Sequence, residues 1–271
     1  MIILFGDSWA RQAYYHSNES DAQGYDHWYH KGITVALDTN TWLNHFFEHS
    51  SSLNQANFGN TTELIIQDLC HFKNIARIQQ PLTYVIFQTD PLRIFAPRMD
   101  YTDYDTVWPR LQTWAQANDF DLDNKGISHL VEKIYTDWYA SLVGFERQEQ
   151  QQQHPATRLF LVGGVSRVHS SASQSGIKII MPSVTEYFGF DQDLVFENRA
   201  SLACLVDFWC RHVPDSQKQR LKQEWLHYED LLLAKEKFWI HNPQWFAGRH
   251  MTAKAMQQVA GKIESVVQEF N

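Results

Sequence analysis

The chain reads as an α/β protein, a three-layer α/β/α sandwich around a five-stranded parallel sheet, on three observations. Five short runs rich in apolar residues, Ile2–Phe5, Ala56–Phe58, Leu82–Phe87, Arg158–Val162 and Ile177–Met181, have the length and composition of strands. The segments between them carry helical spacing, which calls for crossover helices and hence for parallel neighbours. The first run stops on Gly6-Asp7-Ser8, so a serine hydroxyl falls at the carboxyl end of a buried strand, where open α/β sheets hold their ligands.

Each element has its own warrant along the chain. Ile2–Phe5 is an unbroken apolar run, the mark of a strand covered on both faces. Thr41–Phe47 has the mixed apolar spacing of a helix lying on one sheet face. After Ala56–Phe58, Thr61 or Thr62 is placed to cap a helix that buries Leu64, Ile65, Leu69 and Phe72. Leu82–Phe87 is followed by a long insertion at 91–155, whose stretch Asp100–Asp105 is polar and aromatic, as expected of a surface loop beside a pocket. Helices are expected at Trp108–Ala117 and Ile127–Arg147, the second fraying into the glutamine tract Gln148–Gln153. The Ala-, Leu- and Lys-rich stretch from Asn198 to Lys237 suits two more. Thr252 is a good N-cap for a last helix whose stripe is Ala253, Met256, Val259, Ala260 and Ile263. Neither a repeat nor a linker interrupts the chain, so a single domain over residues 1–271 is expected.

Composition narrows the function. With 271 residues, 44% hydrophobic and 20% charged, the chain can bury a sizeable core. A net charge of −8 argues against a nucleic-acid partner, because phosphate binding needs concentrated basic surface. Cys70, Cys204 and Cys210 are odd in number and lack metal or disulfide spacing, so they read as reduced, mostly buried thiols in a reducing compartment. The opening run is too short for a signal sequence, and no apolar stretch reaches the ~20 residues that span a bilayer. A cytoplasmic protein with no membrane span follows. His27, His30 and His45 lack ligand spacing with carboxylates, so no metal is expected, and no other cofactor.

Four blocks carry chemistry, in this order: Gly6-Asp7-Ser8; Asn57-Phe58-Gly59-Asn60-Thr61; the strand end Phe87-Gln88-Thr89-Asp90; and Ala247-Gly248-Arg249-His250-Met251-Thr252 before the last helix. Together they resemble the SGNH (GDSL-type) hydrolase family over nearly the whole chain, from Gly6 to the final helix. The first, second and last blocks match it most closely. The resemblance implies a flavodoxin-like strand order and ester hydrolysis through an acyl-serine intermediate. It also marks two departures. The family's third block is usually Gly-x-Asn-Asp, where this chain has Phe87-Gln88-Thr89-Asp90, and its last block has an aspartate three residues before the histidine, where this chain has Ala247.

Ser8 needs a base, since a serine hydroxyl is a poor nucleophile near neutral pH. The family pattern leaves two choices near the C-terminus, His241 and His250. His250 is preferred, because Thr252 and an ungapped amphipathic helix follow it; His241 has Pro243 beside it but Phe238 three residues before. The resemblance further implies that the backbone N–H groups of Ser8 and Gly59, with the hydroxyl of Thr89, stabilise the oxyanion, and Asn60 is a further donor. Asp7 is expected to bond amides of its own turn, and Asp90 to pin its loop. Arg93 would hold an anionic substrate or join a structural ion pair. Trp9, Tyr14, Tyr15 and Trp28 could stack on a sugar or acyl group.

The expected activity is therefore that of a serine esterase on a small-molecule ester, with an acylated carbohydrate as one substrate class. Without a carboxylate at 247 it is expected to be impaired, since losing that group in a serine protease costs about 10⁴ in turnover. Two other readings compete with it. One is a noncatalytic protein that keeps the cleft to bind a carbohydrate or acylated ligand; the other is an enzyme centred on Asp90 and Arg93.

Overall fold

The computed structural model describes residues 1–17, 27–30, 33–57, 60–75, 82–95, 104–152, 156–191, 194–195, 199–247 and 249–270. In chain order these form β1 (Ile2–Phe5), α1 (Ser8–Arg11), β2 (Gln12–Ser17), β3 (His27–His30), β4 (Ile33–Trp42), β5 (Ser52–Asn54), α2 (Thr62–Ile75) and β6 (Thr83–Gln88). There follow α3 (Tyr104–Ala117), α4 (Ile127–Gln152), β7 (Arg158–Gly163), α5 (Ser171–Gln174), β8 (Lys178–Met181) and α6 (Val184–Tyr187). The chain closes with α7 (Arg199–His212), α8 (Asp215–His241), β9 (Phe246–Ala247), β10 (His250–Met251) and α9 (Ala253–Glu269).

The central sheet is five-stranded and all parallel, in the order β5-β1-β6-β7-β8. This is the order of flavodoxin-like sheets, with its switch point beside β1. Side chains of the inner strands alternate between two cores, as the pleat requires. Ile3, Phe5, Tyr84, Ile86, Leu159 and Leu161 pack under α2, α4 and α7. Ile2, Leu4, Val85, Phe87, Phe160 and Val162 pack under α9 and the β9–β10 hairpin. The result is the three-layer α/β/α sandwich anticipated from the sequence.

α8 does not stay in one layer. Leu221 and Leu232 belong to the first core and Trp239 to the second, so this helix, about 40 Å long, passes from one side of the sheet to the other. No helix among the described residues is long and apolar enough to cross a membrane.

Several expectations are corrected. The second strand is Ser52–Asn54, earlier than Ala56–Phe58. An edge strand is paired on one side only and need not be apolar, and the residues after it serve the neighbouring turn: Gln55 N–H donates to Leu4 O at 2.9 Å and Asn57 N–H to Gly6 O at 3.1 Å. The segment read as a helix at Thr41–Phe47 is the end of β4 and a 3-10 turn at Leu43–Phe46. A three-stranded antiparallel sheet, β2-β4-β3, lies in the stretch between Ser8 and that turn, where no strand was anticipated. α4 runs through Gln152 instead of fraying at Gln148, because Glu149 faces inward and pairs with Lys73 at 2.8 Å while Gln150 Nε2 donates to Thr157 O at 3.0 Å. Leu64 is 40% exposed, although Ile65, Leu69 and Phe72 of the same helix are buried. The cysteines are free, but Cys70 is exposed and Cys204 and Cys210 only half-buried. The Asp100–Asp105 loop lies mostly outside the described residues, and its last two residues already belong to α3.

Candidate active site

The turn after β1 is built around Gly6, whose φ of +144° is open to glycine and strained for any other residue. Its backbone is also pressed against the end of β6, where a Cβ would stand 2.7 Å from Phe87 Cβ. This turn starts the helical turn α1 directly at Ser8. From there Ser8 Oγ reaches Nε2 of His250 at 2.8 Å. The two residues are 242 positions apart in sequence, and both are nearly covered, Ser8 at 6% and His250 at 9% exposure.

His250 is delivered by the C-terminal elements. β9 and β10 form a two-stranded antiparallel ladder with Met251 opposite Phe246 and His250 opposite Ala247. Thr252 then caps α9, its Oγ1 accepting from Ala255 N–H at 3.3 Å and donating to Gln244 O at 2.9 Å. His241, the other sequence candidate, is an exposed residue at the end of α8. Ala247, the partner of His250 in the ladder, is fully buried.

The residues around Ser8 hold the turn rigid. Asp7, fully buried, accepts from Trp9 N–H at 3.0 Å, from Thr89 Oγ1 at 3.2 Å and from Arg93 at 3.1 Å. Arg93 thus takes the structural ion-pair role, its side chain 11% exposed. Asp90 caps the 3-10 turn Pro91–Ile94 by accepting from Leu92 N–H at 2.8 Å, as a loop pin does.

Two expected oxyanion donors are corrected. Thr89 is fully buried and its single hydroxyl hydrogen is committed to Asn60 O, at 2.8 Å, or to Asp7. Asn60 directs both amide hydrogens inward, to Gly6 O at 3.1 Å and Asp68 Oδ2 at 3.0 Å. Both side chains lock the turn instead of facing a ligand. Gln88 is likewise locked, donating to Arg167 O and accepting from Tyr139 OH. Burial pushes the phenols of Tyr135 and Tyr139 well above their ordinary range, so both stay O–H donors at this rim; Tyr135 donates toward Thr89 O at 2.9 Å or Val195 O at 2.8 Å. Gly59 lies outside the described residues.

Trp9 is also corrected. It is 1% exposed and forms a platform beneath the site, its ring 6.3 Å from His250, 6.0 Å from Trp239 and 6.1 Å from Phe246, so it cannot stack on a substrate. Tyr14, Tyr15 and Trp28 lie in β2 and β3, but their side chains are outside the described residues. His27 and His30 are in the same position, and His45 is exposed; among the described residues no group of three or more His, Cys, Asp or Glu is placed to hold a metal ion.

Sequence reasoning missed Trp239, Phe246 and Lys235, which build the floor of the site. A lysine four residues before a tryptophan on a helix is a visible i,i+4 pair, but nothing in the sequence says that this face is buried. A hydroxyl hydrogen-bonded to an imidazole at the carboxyl rim of a parallel sheet, over a buried aromatic floor, is equipped for nucleophilic attack with the ring as proton acceptor. Compared with family models, with curated proteins and with solved structures, the chain matches none of them.

Proposed function

We propose that this chain is a serine ester hydrolase of the SGNH type, weakened by the alanine at 247. The observation that carries the reading is the 2.8 Å contact between Ser8 Oγ and His250 Nε2. In this reaction Ser8 Oγ attacks the ester carbonyl carbon while Nε2 takes the hydroxyl proton. The oxyanion of the tetrahedral intermediate is met by the backbone N–H of Ser8. Collapse breaks the bond to the alcohol, which leaves with the proton held by His250. Water then attacks the acyl-serine, His250 again takes the proton, and the acid departs with Ser8 restored. A small acyl group on a polar or sugar-like alcohol is the proposed substrate class, and the cytoplasm is the proposed location.

Ala247 favours one second reading, a protein that retains the cleft and binds an acylated or carbohydrate ligand without turnover. A fluorophosphonate probe with peptide mapping separates the two. Under the hydrolase reading, Ser8 is labelled, labelling is lost in Ser8→Ala and His250→Ala, and p-nitrophenyl acetate turnover follows the same order. No labelling at Ser8, or an equal rate in His250→Ala, overturns it.

A further inference from the structure

Lys235 is a charged residue with no exposed surface, an expensive placement unless its ammonium is held. It sits on α8 between Leu232, in the core on one side of the sheet, and Trp239, in the core on the other. That is the point where the helix crosses the rim. There Nζ donates to Val165 O at 2.6 Å and lies over the ring of Trp239, 5.2 Å from its centre.

Both partners matter for the site. Val165 follows Gly163-Gly164 at the end of β7, a turn pressed between its neighbours: a Cβ on Gly163 would stand 1.9 Å from Pro182 O, and one on Gly164 would stand 3.1 Å from Gln88 O. This turn has little room to shift. Trp239 packs on Trp9 at 6.0 Å and on Phe246 at 6.3 Å, and Trp9 packs on His250 at 6.3 Å. Phe246 lies in β9, the strand that pairs with the strand carrying His250. A continuous path of packed groups therefore leads from the rim of β7, through the lysine, to the imidazole.

We infer that Lys235 is a positioning residue for the base. It clamps α8 to the rim of β7, and the aromatic floor of Trp239, Trp9 and Phe246 transmits that placement to the ring of His250. Aromatic packing alone is tolerant of sliding, whereas a short hydrogen bond to a confined carbonyl fixes the helix along its axis. A displacement of an ångström at a proton-transferring group is enough to cost up to a hundredfold in rate. This inference rests on the hydrolase reading for its kinetic consequence only.

The test uses the full chain and two variants, Lys235→Met and Trp239→Phe, with the double variant. The first readout needs no activity: the His250 imidazole resonances, assigned by their loss in His250→Ala, should move in both single variants, while those of exposed His45 stay in place. The second is the rate of fluorophosphonate labelling at Ser8, well below each variant's unfolding temperature. It should fall about tenfold in each single variant and hardly further in the double, since both act through one path. Trp239→Phe carries the same decision if Lys235→Met does not fold. Unmoved His250 resonances, or losses that multiply in the double variant, would overturn the inference. Absence of labelling at Ser8 in the unsubstituted chain would remove the hydrolase reading, and the resonances would still decide whether Lys235 sets His250.

Discussion

His250 stands directly opposite Ala247 across the short ladder that closes the site. Opposed residues of an antiparallel pair hold their Cβ atoms about 4.5–5.5 Å apart, close enough for a carboxylate on one to reach an imidazole on the other.

Ala247→Asp is accordingly expected to raise p-nitrophenyl acetate turnover by about 10² to 10⁴, the loss that removing such a carboxylate causes elsewhere, with the gain in kcat. The comparison is made against Ser8→Ala/Ala247→Asp, which should stay at background. Turnover unchanged by the aspartate would mean that the imidazole is oriented by another group.

Gly6→Ala tests the turn itself. The added methyl meets Phe87 Cβ at 2.7 Å and Phe87 O at 3.0 Å, on a backbone whose φ of +144° already excludes alanine. A loss of about 2 kcal/mol or more is expected in urea unfolding, together with loss of Ser8 labelling in the folded fraction. A variant as stable and as reactive as the parent would show that the turn relaxes at no cost.

The parallel sheet was legible from where strands and helices end, whereas the pairing of Ser8 with His250 was legible only through the resemblance, which offered His241 and His250. The strand stopping on Gly6-Asp7-Ser8 put the hydroxyl at the rim of the sheet, and the cap at Thr252 favoured His250 over His241. The sheet β2-β4-β3 was not legible, although Ile33, Val35 and Leu37 alternate with Thr34 and Ala36. Its strands continue into polar residues at Asp38-Thr39-Asn40, which read as loop. Residue types at 60 and 89 announced hydrogen-bond donors, but a donor's direction is decided by neighbours distant in sequence. For Thr89 these are Asp7 and Asn60, and for Asn60 they are Gly6 and Asp68. The burial of Lys235 depends on α8 crossing the rim, a property of the whole fold and not of its helix.

The ion pair of Asp7 and Arg93 should behave as a buried one. Arg93→Met removes a cation 3.1 Å from a carboxylate with no exposed surface, and about 3 kcal/mol should be lost. Adding Asp7→Asn to it should recover part of that loss, because the buried charge goes as well. Urea midpoints at constant m-value measure both. Equal stability of Arg93→Met and the parent would reduce the pair to a surface contact.

Glu264 supplies the pH dependence. It lies on α9, 5% exposed, and fastens the turn before β5 by accepting from Glu48 N–H at 3.1 Å and His49 N–H at 2.8 Å. Burial pushes its carboxyl up, but the bonds from Ser50, His49 and Glu48 together outweigh that, and the net shift is below 4.5. A folded pKa below the unfolded one gives stability that is complete above 4.5 and is lost as pH falls through the folded value. Glu264→Gln presents an uncharged amide to two backbone donors, so at pH 7 it should be about 1–2 kcal/mol less stable than the parent. As pH falls below 4.5 and through the folded value the parent's carboxylate is protonated, and the two unfolding temperatures should converge. A gap that does not narrow at all as pH falls below 4.5 would show that the amide's shape, and not the missing charge, carries the difference.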